Sequence, residues 1–362
     1  MKTVYVGLSG GVDSAVSATL LQKSGYNVVG LFARISLAGY TCTAGEDRRD
    51  ALRVATHLGI PFAEIDLSEA YRERVFSDTL AGYLRGETPN PDALCNREIK
   101  FGLLYDYARS LGADFFATGH YARTKVFANG ETHLLPGVDT QKDQSYFLWA
   151  VPEERLAQTL FPVGDLRKPA VRELAEKFGL PNARRKDSQG LCFLGAISIE
   201  EMLHKELKLH AGDVLNESGE VVGKHHGAAL YTVGQRHGFL VPAHDNVATP
   251  YVVVATDVVR NTITVAHRDA VVVGGNKARV TTVGNYGGMT IALRETNWIG
   301  GIKDGVCSVR FRYRQPLMSA ELQGNKVTLS EKIAIPLGQS LVLYRGDRCI
   351  GGGIIDLLLE QV

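Results

Sequence analysis

Cysteine is scarce in this sequence, tryptophan scarcer, and a long apolar run is missing altogether. The 362 residues include five cysteines and two tryptophans. The cysteine number is odd and no C-x-x-C pair exists, so neither a disulfide framework nor a paired-cysteine zinc site is indicated. No apolar stretch approaches the ~20 residues that span a bilayer. Met1–Gly7 holds too short an apolar run before its glycine for a secretory signal. The expected compartment is therefore the cytoplasm, with no membrane partner. An excess of one charge is missing as well: 40 Lys and Arg stand against 39 Asp and Glu, a net +1. Without a global basic field, any nucleic acid must be held by a local patch. No internal repeat or low-complexity tract is visible. What is present is an ordinary globular composition, 45% hydrophobic and 22% charged. At about 100–200 residues per domain, the length allows two or three domains.

The first half alternates two periodicities. Val4–Ser9, Val28–Phe32, Phe62–Asp66 and Phe115–Thr118 read as short buried strands. Between them, Ser14–Lys23, Asp47–Leu58 and Glu98–Leu111 carry apolar residues at helical spacing and stop at Gly25, Gly59 and Gly112. Ser68 is placed to cap a further helix running toward Leu84. This rhythm predicts an α/β unit, a doubly wound parallel sheet with helices on both faces. Further helices are expected at Lys168–Phe178 and Ile199–Leu207. From about Asp213 the chain becomes short strands and glycine turns, among them Tyr251–Thr256, Thr262–Ala266, Arg279–Val283, Val306–Tyr313, Lys326–Leu329, Ser340–Tyr344 and Gly353–Leu359. That pattern predicts a small C-terminal β-barrel behind a mixed central module. The expected divisions are 1–195, 196–272 and 273–362.

Gly7-Leu8-Ser9-Gly10-Gly11-Val12-Asp13-Ser14 joins the first strand to the first helix. Glycines there let the backbone approach an anion, and the helix start behind them offers free N–H groups and a positive dipole end. Ser9 and Ser14 can add hydroxyl donors. Asp13 cannot attract phosphate directly, so Mg²⁺ between them is its expected role. The loop lacks the Gly-Lys-Ser/Thr ending of a Walker A motif and is not a dinucleotide G-x-G-x-x-G. On spacing alone, a plain strand-to-helix turn fits equally well.

The second signal is Thr88–Phe101, with two prolines that stiffen a loop and an Asn90-Pro91 pair that reads as N-cap and first helical residue. Asp92 and Cys95 then fall three apart on one helical face, a carboxyl beside a thiol. The third is Lys186–Phe193, where Cys192 sits in a polar, glycine-bearing loop and taken alone fits a buried structural cysteine.

In order along the chain, these strings resemble one family, the bacterial tRNA-specific 2-thiouridylases, within the adenylating ATP pyrophosphatase superfamily. Ser9–Ser14, Tyr40–Ala44, Thr88–Phe101, Ala117–Tyr121, Lys142–Leu148, Leu160–Gly164, Asp187–Phe193, Thr232–Arg236, Arg312–Gln315 and Gly351–Ile355 carry the resemblance, which covers essentially the whole chain. One departure stands out: Ala33-Arg34-Ile35-Ser36 replaces the usual Met-Lys-Asn-Trp. Side-chain contacts around an adenine change there, while a backbone contact at Ala33 survives.

The resemblance implies a tRNA sulfurtransferase. ATP, with Mg²⁺, adenylates the C2 oxygen of the wobble uridine, and persulfide sulfur then replaces it to give 2-thiouridine, AMP and pyrophosphate. It implies that Gly7, Leu8, Ser9, Gly10, Gly11, Val12, Asp13, Ser14, Ala33 and Gly119 hold ATP. Cys192 carries the persulfide, Cys95 is the second catalytic thiol, ending in a transient disulfide with Cys192, and Asp92 is the general acid/base. Asn90, Pro91 and Asp92 form the target-base pocket. His120, Lys142, Asp143, Gln144, Arg312, Tyr313 and Gln339 face the tRNA. The implied partners are tRNAs of the Lys, Glu and Gln isoacceptors and a sulfur-relay or cysteine desulfurase protein. Taken alone, His120 reads as a hydrogen-bonded scaffold histidine rather than an RNA contact, and Arg310–Arg314 also fits a solvated strand face. Two other readings stand beside this one: an amide-forming synthetase on the same fold, for which two cysteine motifs are superfluous, and a tRNA-binding protein without catalysis, for which the intact loop is superfluous.

Overall fold

A computed structural model describes residues 1–40, 43–187, 197–242, 251–267, 288–301, 304–330 and 333–360. Strand β1 (Thr3–Gly7) lies at the centre of a five-stranded parallel sheet. On one side are β2 (Asn27–Arg34) and β3 (Phe62–Asp66); on the other, β4 (Phe115–Ala117) and the short β7 (Thr159–Leu160). Successive residues of β1 feed opposite cores. Val4 and Val6 join Val12, Ala15 and Val16 of helix α1 (Val12–Lys23), while Tyr5 joins Leu31, Ile99 and Phe116. A strand buried on both faces has no polar alternation, as the sequence predicts. Because the chain leaves β1 for β2 and later returns to β4, a crevice opens at the carboxyl ends of β1 and β4. The glycine loop opens into that crevice.

The helix after β3 runs as Ser68–Tyr71, a π-wound Arg72–Phe76 and Ser77–Leu84. Its start differs from expectation. Ser68 is the first helical residue rather than the cap, and Asp66 Oδ1 accepts its backbone N–H at 2.9 Å and its hydroxyl at 2.6 Å. A carboxylate two residues upstream does the capping because it also satisfies the serine side chain.

One element was not legible in the sequence. The β5 (Ala122–Val126) and β6 (Thr132–Pro136) hairpin leaves the α/β unit and pairs Leu134 with Cys349. Cys349 belongs to a six-stranded barrel whose neighbours run Met289–Trp298, Lys326–Leu329, Met318–Gln323, Gly305–Arg310, Ser340–Arg345 and Arg348–Glu360, with the last pairing back to the first. Leu134, Ile299, Val342, Tyr344 and Cys349 therefore share one core with Phe101 and Phe116 of the α/β unit. The central module is a four-stranded sheet built from Gly212–Leu215, Val221–His225, Tyr251–Asp257 and Thr262–His267. The strand expected at Arg279–Val283 lies outside the described residues.

Candidate functional site

The loop after β1 is held open by its own residues. Gly10 has φ +78°, and a Cβ there would meet the Asp47 carbonyl at 2.6 Å, so only glycine fits. Its carbonyl is pinned by Asn182 Nδ2 at 2.7 Å and by Arg185, which also bonds Asp47 and Asp50. Ser14 Oγ donates to the Gly11 carbonyl at 3.1 Å and accepts the Ser9 N–H at 3.2 Å, so this hydroxyl shapes the loop. Among the described residues no side chain caps the start of α1 at Gly11. Gly119 follows β4 and presses on this helix start: a Cβ would stand 2.6 Å from Ser14 N.

A cleft of about 470 Å³ opens there, a volume that suits a nucleotide. Its wall carries Gly7, Leu8, Ser9, Gly11, Val12, Asp13, Ser14, Ala33 and Gly119 of the expected nucleotide set. Asp92, His120, Lys142, Gln144 and Tyr313 of the expected base and RNA set line the same cleft. Residues from β1, β4, the Thr88–Phe101 segment and the barrel thus converge on one space.

Asn90 caps the Pro91–Cys95 helix as expected, accepting Ala93 N–H at 3.2 Å, with Pro91 at the first turn. The helix continues π-wound as Asn96–Leu104. Asp92, Asn96 and Lys100 line the cleft from it, four residues apart. Cys95 is fully buried in the shared core beneath this wall. Cys192 lies outside the described residues, as does Cys42. Cys307 and Cys349 are buried in the barrel, and burial pushes their thiols up, to about 11 and about 12. Thiols held neutral in this way are poor nucleophiles.

His120 is buried, with its Nδ1 2.8 Å from Thr118 Oγ1. Burial, reinforced by the Lys100 charge, holds its pKa well below the ordinary value and keeps the ring neutral. Gln144 bonds the Tyr121 backbone at both ends: its Oε1 accepts the Tyr121 N–H, and its own N–H donates to the Tyr121 carbonyl, each at 2.9 Å.

The Arg310–Arg314 run is not one solvated face. Phe311 is a barrel-core residue. Arg310 Nη2 donates to Asp143 Oδ2 at 3.0 Å, and that carboxylate also accepts from Gly137 N, Ser145 N and Ser145 Oγ. Asp143 is therefore buried and fully engaged inside the protein, and it ties the Lys142–Gln144 loop to the barrel. The strand ends at Arg310, and the turn behind it presents Arg312, Tyr313 and Arg314. Tyr313 packs against Phe147 with ring centroids 4.8 Å apart and the ring planes tilted by 44°. Burial and the nearby Arg236 charge pull the Arg312 guanidinium below its ordinary pKa, and its Nη2 donates to the Val233 carbonyl at 2.8 Å. Arg97, Arg294 and Arg310 behave oppositely: although burial opposes it, carboxylate partners raise the first two, and Tyr344 followed by Asp143 raises Arg310. A half-buried guanidinium beside another cation favours an anionic ligand. Gln339 lies behind this turn, its Oε1 3.3 Å from the Tyr146 hydroxyl.

Sequence reading missed Tyr121, Lys168, Asn182 and Arg185. Tyr121 donates its hydroxyl to Asp13 at 2.8 Å, and Lys168 Nζ reaches the same carboxylate at 2.7 Å. The basic run Arg184-Arg185-Lys186 was the available signal for Arg185. Nothing local marked Lys168.

Fold and cleft define the class: an α/β protein with a glycine loop after its first strand, whose cleft is completed by a C-terminal barrel. Family models match residues 2–196 (tRNA methyl transferase HUP domain), 200–267 (PRC-barrel domain) and 289–355 (aminomethyltransferase beta-barrel domain). The tRNA-specific 2-thiouridylase of Enterococcus faecalis is 39% identical over 98% of this chain and 95% of its own. That of Streptococcus mutans is 39% identical over 99% and 96%, and that of Streptococcus pyogenes serotype M49 is 40% identical over 99% and 96%. A solved 4-thiouridine synthetase–RNA complex with bound ATP is 20% identical over 54% of this chain and 46% of that one, with a TM-score of 0.35. The chain belongs to the tRNA-specific 2-thiouridylase family.

Proposed function

We propose that this protein replaces the C2 oxygen of a tRNA wobble uridine with sulfur. The observation that carries the reading is one cleft lined together by the glycine loop, Asp92 and the Tyr313–Phe147 pair. Near 40% identity to 2-thiouridylases over almost the whole chain supports it. The α1 start and glycine loop bind the ATP phosphates. Asp13 offers a hard carboxylate oxygen on the cleft wall, a donor that suits Mg²⁺ travelling with the triphosphate, where the ion would offset phosphate charge.

The uridine must leave the anticodon stack to enter a cleft of this size, and Tyr313 with Phe147 offers it a stacking surface. Its C2 oxygen attacks the α-phosphorus of ATP, and pyrophosphate departs. Asp92 takes up and returns the uridine proton. The terminal sulfur of a Cys192 persulfide then bonds to C2, and AMP leaves with the oxygen. Cys95 thiolate attacks Sγ of Cys192. The persulfide S–S bond breaks, its electron pair stays with the sulfur on C2, and a Cys95–Cys192 disulfide remains for reduction by an external dithiol. Because Cys95 is buried, this last step requires the helix start to open locally. Arg312, Lys142 and His120 form the RNA-facing rim and pocket wall, with Gln339 behind them. The substrates are tRNAs for Lys, Glu and Gln, the sulfur comes from a relay or desulfurase protein, and the setting is the cytoplasm.

The family model's name refers to methyl transfer and the relatives' names to thiolation, and nucleoside mass spectrometry separates the two. Incubation with tRNA, ATP, Mg²⁺ and a persulfide donor is expected to yield 2-thiouridine with AMP and pyrophosphate. Cys95→Ser and Cys192→Ser should each abolish it, while Cys307→Ala and Cys349→Ala retain it. A methylated or aminated nucleoside, or thiolation by Cys192→Ser, overturns the reading.

A further inference from the structure

Asp13 poses an electrostatic problem. It is an anion on the wall of a site built for anions, and without a counter-charge it would repel a triphosphate. Lys168, the first residue of the Lys168–Lys177 helix, answers it: Nζ lies 2.7 and 2.8 Å from the two Asp13 oxygens. Its side chain is only 13% exposed, so solvent screens the pair weakly. The same Nζ lies 2.9 Å from Asp187 Oδ1. Asp187 also bonds Lys142 and Arg172, and Arg172 sits one helical turn beyond Lys168 on the same face. Asp139 Oδ2 accepts the Lys168 backbone N–H at 2.9 Å, so Lys142, Lys168 and Arg172 balance Asp13, Asp139 and Asp187 beside the cleft.

We propose that Lys168 is a positioning residue for the nucleotide: it neutralises and fixes Asp13 before binding, and can exchange Asp13 for a phosphate oxygen once a metal ion occupies that carboxylate. Arg172 keeps Asp187 anchored while Lys168 changes partner, so the exchange need not disturb the helix. The inference rests on the ATP-using reading of the cleft.

The test is calorimetric ATP binding to the full chain without RNA, with Mg²⁺ and with a chelator. Lys168→Met should weaken metal-free ATP binding at least about tenfold, because Asp13 is then an unneutralised carboxylate beside the phosphates. With Mg²⁺ the loss should be smaller, because the metal then neutralises Asp13. Lys168→Arg should recover most of the affinity, and in an Asp13→Asn background Lys168→Met should matter less. Lys168→Gln, which keeps a donor for Asp187, should show the same dependence on metal if the methionine variant does not fold. Variants that melt like the parent and bind ATP equally well with and without metal overturn the inference. A parent protein that binds no ATP overturns the reading of the cleft instead.

Discussion

His120 shows how one side chain can be chemically quiet and still shape a site. Buried beside Lys100 and bonded to Thr118, it stays neutral in the folded protein. The unfolded chain binds a proton there as pH falls through about 6.5, whereas the folded chain does not. Stability is therefore complete above that value and declines as pH drops below it, down to the depressed folded pKa. His120→Asn is expected to flatten this part of the profile, measured as urea-unfolding free energy between pH 7 and pH 5. An unchanged slope in the variant would remove His120 as its source. Asp143 makes the same point for carboxylates. Sequence placed it on an RNA-facing loop, but its oxygens are spent on Ser145, Gly137 and Arg310.

At the scale of the element, the decisive piece is the short Pro91–Cys95 helix, whose residues carry both Asp92 and Cys95. Asn90 and Pro91 set its start, and that start fixes which face meets the cleft. Asn90→Ala removes the side-chain acceptor for Ala93 N–H and should cost about 1 kcal/mol, read as a lower denaturant midpoint at unchanged slope. The same variant should lose more activity than stability, since Asp92 is then free to turn with the frayed end. Activity falling only in step with folded fraction would show that the cap supports stability alone. The cap was legible because Asn-Pro has one efficient use at a helix start. The π-wound continuation through Asn96–Leu104 was not. It turns on Gly102, whose φ of −94° and ψ of −109° are non-helical, and where a Cβ would lie 2.7 Å from the Arg97 carbonyl five residues back in the same segment.

Across the whole molecule, the barrel and the α/β unit are joined by polar and apolar links at once. Leu134 pairs with Cys349, Arg310 bonds Asp143, and Asn297 Nδ2 donates to the Trp149 and Val151 carbonyls. The Arg310–Asp143 pair is nearly buried, at 13% and 9% side-chain exposure. Asp143→Ala leaves a buried guanidinium with the Tyr344 hydroxyl but no carboxylate partner and should cost about 3–5 kcal/mol. Arg34→Ala breaks a pair that is about half exposed and should cost less than about 1 kcal/mol. Thermal melting of the two variants side by side checks the contrast. Equal shifts would mean that Arg310–Asp143 is not what holds the barrel to the cleft.

The sequence by itself determined the parallel α/β unit, the glycine turn between β1 and α1, the Asn90 cap and the order of family motifs, because each rests on short-range periodicity or on residues with one efficient local use. Tertiary structure alone decided which of those residues share a space. Lys168 meets Asp13 across 155 positions of chain, and Arg310 meets Asp143 across 167. An ion pair between distant positions leaves no local pattern, since any exposed helix start or strand end would accept either residue. Only the closing of β1 and β4 around the crevice, and of the barrel onto the β5–β6 hairpin, turns these scattered charges into a site.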